Sequence, residues 1–203
     1  TASFVAAGPL WGAVYGVAIA ETWSSATSRP FESTATPWRW ALGGSMAGLA
    51  LTATLASPVE STPGDSALIH SGAGWGTMTG LLGARAFGHS TSREGPFLLA
   101  GINAGLAAGL ATSAYTEWSR EHVFWLDCAI LAGIAGGAAL ERAIQPKELG
   151  APDDRTARFA LAGGALGLGT GVFLLRNYDK SRAGGRRRVL EWLHPTALVV
   201  PER

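Results

Sequence analysis

Gly101-Ile102-Asn103-Ala104-Gly105-Leu106-Ala107-Ala108-Gly109 is the stretch on which the fold of this chain turns. Its glycines recur every fourth residue. That spacing places them on one narrow, slowly drifting stripe of an α-helix, whereas a strand would repeat every second residue. In water each such glycine weakens a helix by roughly 0.5–1 kcal/mol relative to Ala. In a bilayer a small-residue stripe lets two backbones approach closely, and dispersion with weak Cα–H···O contacts rewards the approach.

The same stripe returns along the chain. Gly8, Gly12 and Gly16 carry it first, then Gly44, Gly48 and Thr52, then Gly72, Gly76, Gly80 and Ala84. Beyond Gly109 it reappears as Ala129, Gly133 and Gly137, and again as Gly163, Gly167 and Gly171. The apolar stretches that hold it are Ser3–Trp23, Trp38–Ser57, Ser66–Phe87, Pro96–Tyr115, His122–Leu140 and Arg158–Leu175. Each is close to the ~20 residues that cross a ~30 Å hydrocarbon core. The reading is an all-α membrane bundle of about six glycine-striped transmembrane helices, embedded in a lipid bilayer. Trp23, Trp38, Trp40, Trp118 and Trp125 stand at segment ends, where an interfacial aromatic belt belongs.

Composition agrees. Only 15% of the 203 residues are charged, against about 25% in ordinary soluble domains. Mean hydropathy is +0.19, raised by Ala and Gly more than by Leu and Phe. The net charge of +1 gives no overall field for nucleic acid. The one cysteine, Cys128, excludes an intramolecular disulfide and a cysteine-based zinc site. Two other architectures fit less well. A transmembrane β-barrel could use the alternation in Gly74–Gly80, but β-branched residues are sparse. A soluble Ala/Gly-rich helical bundle would carry the cost of the glycines. Phe4–Ala20, ending in Ala18-Ile19-Ala20, also has the flavour of a signal peptide, without a basic n-region.

The segments alternate in type. Trp11-Gly12-Ala13-Val14-Tyr15-Gly16 matches Trp75-Gly76-Thr77-Met78-Thr79-Gly80, with Ala132–Gly137 a looser third copy. Gly44…Gly48-Leu49, Gly101…Gly105-Leu106 and Gly163…Gly167-Leu168 align likewise. This spacing predicts three tandem helical hairpins over about 1–57, 66–115 and 122–178, within a membrane domain 1–178, then a basic tail over 179–203. The tail arginines Arg182, Arg186, Arg187 and Arg188, with Arg176 just ahead of them, suit anionic headgroups. Counted with the tail, basic residues are balanced between the two sides and fix no orientation. The carrier signature Pro-x-Asp/Glu-x-x-Lys/Arg is absent, so three two-helix repeats do not make a mitochondrial carrier here.

Ionisable groups inside membrane segments are the natural functional candidates. Asp127, about one and a half turns into the fifth segment, is the first. It could bind a proton or cation, accept an interhelical hydrogen bond, or rest on the helix N-terminal dipole. His70 could pair with it, and Asn103, near the glycine stripe, suits an interhelical hydrogen bond. Arg85, Glu141 and Arg158 stand near segment ends and are expected to snorkel. Glu117, Glu121 and His122 read as a solvated turn. No Gly-x-Ser-x-Gly, His-Glu-x-x-His or Walker A motif is present, and no cofactor is expected. Three roles remain. The first is a structural, self-associating or pore-forming membrane protein, with outward-facing stripes and a homo-oligomer. The second is a small transporter using Asp127 and His70. The third is an accessory subunit of a larger membrane complex.

Overall fold

The structure is a computed structural model. It describes residues 2–27, 31, 35–55, 62–87, 94–144 and 154–179. Six helices fill these residues: α1 Ala2–Thr27, α2 Ala35–Leu55, α3 Pro63–Ala86, α4 Glu94–Tyr115, α5 Arg120–Ile144 and α6 Asp154–Leu175. No strand occurs among the described residues, which excludes the β-barrel. Of the basic tail only Asp179 is described; residues 180–203 lie outside the described residues.

Three helices are long and apolar enough to cross a membrane, namely α4, α5 and α6. This is fewer than the six the segments suggest. Length is not the cause, because α1, α2 and α3 have 26, 21 and 24 residues. In α2 and α3 polar residues dilute the apolarity: Arg39, Ser45, Thr52 and Thr54 in α2, and Ser66, His70, Ser71, Thr77 and Thr79 in α3.

The stripes determine how the helices pair, and each pair is antiparallel. On α1 a Cβ at Gly8, Gly12 or Gly16 would strike the carbonyl of Gly48, Gly44 or Trp40 of α2. On α3, Gly72, Gly76 and Gly80 meet the carbonyls of Gly105, Gly101 and Phe97 of α4. On α5, Gly133 and Gly137 meet Gly163 and Phe159 of α6, and Gly167 meets Ala129 in return. Gly171 is closed by the Leu126 side chain, 2.8 Å from where its Cβ would stand. Gly109 is closed by the Leu68 carbonyl at 2.7 Å. The expectation of outward-facing stripes is therefore corrected: the glycines face each other within the chain. Adjacent segments separated by short links meet as antiparallel neighbours, so each stripe finds its partner in the next helix.

One detail explains how α1 tolerates Pro9. Proline has no N–H, so the Val5 carbonyl four residues earlier loses its helical donor. The Thr52 hydroxyl of α2 reaches it at 3.3 Å while lying 2.9 Å from the Gly48 carbonyl.

Large apolar side chains point outward on every pair. Leu10, Met46, Leu51, Leu131, Leu166, Phe173 and Leu174 are each more than half exposed. Exposed apolar side chains in such number are what membrane and partner surfaces carry. The buried interior is small, with Ile102, Val123, Leu68, Leu126 and several alanines. α3 packs against α1, α4, α5 and α6 and so ties the three pairs together.

Polar groups close the ends. Thr62 and Asp65 form a capping box at the start of α3. At its other end Arg158 of α6 donates from Nε to the Ala86 carbonyl at 2.7 Å and from Nη2 to Asp154 at 2.9 Å. Arg158 thus caps a neighbouring helix as well as facing outward. Arg158→Gln is expected to lower stability by about 0.5–1.5 kcal/mol, the worth of one such bond, read from thermal melting in detergent. Glu141 does not snorkel: it is 2% exposed, accepts from Thr156 Oγ1 at 2.9 Å and lies 3.9 Å from Arg155.

Candidate functional site

More than three turns of α3 face the first half of α5 across a cleft of about 630 Å³. Ser66, His70, Ser71, Gly74, Trp75 and Met78 line it from α3, and Arg120, Val123, Phe124 and Asp127 from α5. Most of the wall is apolar, and the polar groups are few and specific, as in small-molecule sites generally.

Asp127 is half-buried in this cleft. Its Oδ1 accepts from Ser71 Oγ and, at 2.7 Å, from Trp75 Nε1. These donors are four residues apart, so they stand on one face of α3 and grip a single oxygen. The pairing of His70 with Asp127 is corrected. His70 Nδ1 instead accepts from Trp11 Nε1 of α1 at 2.9 Å, which places the ring proton of a neutral His70 on Nε2. Asn103 bonds to neither among the described residues. It accepts from Tyr15 Oη at 2.9 Å and donates to the Leu99 carbonyl at 2.7 Å, joining α4 to α1.

These bonds fall into a pattern. Trp11 of the first pair reaches His70 of the second, and Trp75 of the second pair reaches Asp127 of the third. The two tryptophans occupy the matched Trp-Gly positions read from the sequence. His70 and Asp127 precede Trp75 and Ala132 by the same interval. At the outer limits Ala6 stands where the acceptor would be and Ala132 where the tryptophan would be. The inter-pair device stops at both ends.

A second polar cluster lies where α5 begins and α6 has just ended. His122 is 2% exposed rather than solvated. It stacks on Trp118 at 4.4 Å, meets the edge of Tyr178 at 5.8 Å, and its Nδ1 lies 2.7 Å from Asp179 Oδ2. Ser119 Oγ caps its backbone N–H at 3.2 Å, and Tyr178 Oη donates to Glu121 at 3.1 Å. Burial alone would raise the Asp179 pKa, but hydrogen bonds from Ser119 and His122 and the His122 charge outweigh it and hold the carboxyl below its usual range. A depressed carboxyl stabilises the fold above its unfolded pKa and loses that contribution as pH falls through the folded value. Acid titration of tryptophan fluorescence is expected to show Trp118 released below about pH 4, the ordinary carboxylate range. Asp179→Asn should abolish that step. Sequence reasoning missed this cluster by judging 117–122 as one local turn; the signal was that the two ends of a hairpin lie side by side.

Among the described residues no group of His, Cys, Asp and Glu is placed to hold a metal ion. Comparison with protein-family models, curated proteins and solved structures finds no match for this chain. Its function is therefore argued from the geometry alone.

Proposed function

We propose that this chain is an integral membrane scaffold whose six helices all span the bilayer as three stacked hairpins. The observation that carries the proposal is the backbone-to-backbone seam inside every helix pair, with the large apolar side chains turned outward. A soluble protein would draw its stability from a broad apolar core. Here the seams are nearly free of side chains, which suits a solvent of lipid tails, where close packing rather than water exclusion joins helices. Such seams make each hairpin stiff, and Trp11–His70 and Trp75–Asp127 link the hairpins in order. The matched motifs support a degenerate three-hairpin repeat in the manner of a glycine zipper. The role is packing and support within a membrane assembly, with the bare apolar faces of α2 and α6 toward lipid or a partner. Alkaline carbonate extraction tests this: the protein stays in the pellet if it is embedded, and its release would overturn the reading.

The α3–α5 cleft favours a second reading, a small-solute or ion site at Asp127. Solute uptake into reconstituted vesicles that is lost in Asp127→Asn would support it, and uptake unaffected by that change would exclude an ionic role.

A further inference from the structure

The geometry points to the α3–α5 cleft as a binding site for a small amphiphilic primary amine, its ammonium on Asp127 and its apolar body against Trp75, Phe124 and Met78. The charge balance of the cleft comes first. Asp127 has no ion-pair partner among the described residues, and the two donors it accepts, Ser71 and Trp75, are both neutral. His70 bonds to Trp11, and among the described residues it makes no hydrogen bond or ion pair with Asp127. The nearest cation along α5 is Arg120, seven residues or about 10 Å of helix away, and it is exposed at the rim. A half-buried carboxylate in an apolar bundle calls for a positive partner. Both bonds fall on Oδ1, and no donor reaches Oδ2 among the described residues.

Ser66 supplies a second, independent observation. It is 3% exposed, it lines the same cleft, and among the described residues its Oγ has no hydrogen-bond partner. A buried hydroxyl left unpaired is unfavourable by itself, and a ligand atom in the cleft would satisfy it. Asp127 Oδ2 and Ser66 Oγ can both accept. A primary ammonium offers three N–H donors, whereas a quaternary ammonium offers none and an inorganic cation leaves the apolar wall unused. The indole of Trp75 and the ring of Phe124 suit the methylenes beside the charge, and aromatic faces favour the cation itself. At about 630 Å³ the cleft lies within the range of small-molecule sites, roughly 300–1,000 Å³.

The test uses the full chain purified in a maltoside detergent, with n-hexylamine and n-hexanol titrated by calorimetry near neutral pH. Hexanol has the same chain and partitions into micelles, so it reports non-specific uptake. Saturable amine binding at least roughly tenfold tighter than the alcohol is expected, the yield of one charge-assisted hydrogen bond. Asp127→Asn retains an acceptor for Ser71 and Trp75 and should erase the preference. Ser66→Ala, which leaves Asp127 intact, should weaken the amine several-fold and leave the alcohol unchanged. Equal binding of amine and alcohol, or an undiminished preference in Asp127→Asn, would overturn the proposal. So would displacement of the amine by stoichiometric sodium or potassium, which would make the site one for inorganic cations. Carbonate extraction is read separately, so failure of amine binding and failure of the membrane reading are distinguishable.

Discussion

Gly105→Leu should lower the thermal stability of the detergent-solubilised protein sharply, while Gly136→Leu should leave it near wild type. Both glycines lie within apolar helices, so composition does not distinguish them. Their surroundings do. A Cβ on Gly105 would strike the Gly72 carbonyl and lie 2.9 Å from the Gly76 Cα, whereas nothing lies within 4 Å of one on Gly136. The obstruction at Gly105 is backbone, which cannot rotate away as a side chain can. Overpacking of this kind destabilises by about 1–3 kcal/mol. A leucine at Gly136 meets no such obstruction and improves helix propensity. Gly43→Leu and Gly169→Leu should behave like Gly136→Leu, since both also face open space. Equal melting temperatures for Gly105→Leu and Gly136→Leu would remove the seam between α3 and α4.

The second large effect is expected at Asp127. Asp127→Leu leaves the Ser71 hydroxyl and the Trp75 N–H without their acceptor at the contact between the second and third pairs. Hydrogen bonds to a charged group contribute about 1.5–3 kcal/mol, and water entering the open cleft offsets part of the loss of two. The net destabilisation should be about 2 kcal/mol. Asp127→Asn keeps an acceptor oxygen and should lose less than half of that. His70→Leu is informative beside it. It removes the acceptor of Trp11 between the first and second pairs, so it should loosen α1 against α3 without disturbing Trp75. Tryptophan fluorescence with Trp11→Phe and Trp75→Phe backgrounds separates the two sites. If Asp127→Leu melts like the wild type, the carboxylate does not join the pairs.

The helices and their pairing were legible because they rest on local rules. A spacing of four specifies a helix face, and a short link brings that face to its neighbour, so Gly12 finds Gly44 and Gly133 finds Gly163. Contacts between pairs obey no such rule. Asp127 could be singled out by its charge, but its donors lie more than fifty residues away on α3. Ser71 and Trp75, four residues apart, share a helix face by local geometry; nothing local turns that face toward α5. His70 was drawn to Asp127 by charge alone, and the rotation of α3 sends it to Trp11 instead. Glu141 and His122 were placed at segment ends and assumed to be wet. Hairpin closure buries them, because Thr156 on α6 and Asp179 just beyond it arrive from the opposite arm of the hairpin.

Six crossings make a topological prediction that three do not. In a chain with Cys128 replaced by Ala, single cysteines at Thr27, Pro63, Phe87, Glu117 and Asp154 can be labelled with a membrane-impermeant maleimide from either face of oriented vesicles. Each of these residues lies at a helix end, and none is buried. If all six helices span, Pro63→Cys and Glu117→Cys react from one face, and Thr27→Cys, Phe87→Cys and Asp154→Cys react from the other. If only α4, α5 and α6 cross, Pro63→Cys reacts from the same face as Thr27→Cys and Phe87→Cys, and the six-span scaffold is contradicted.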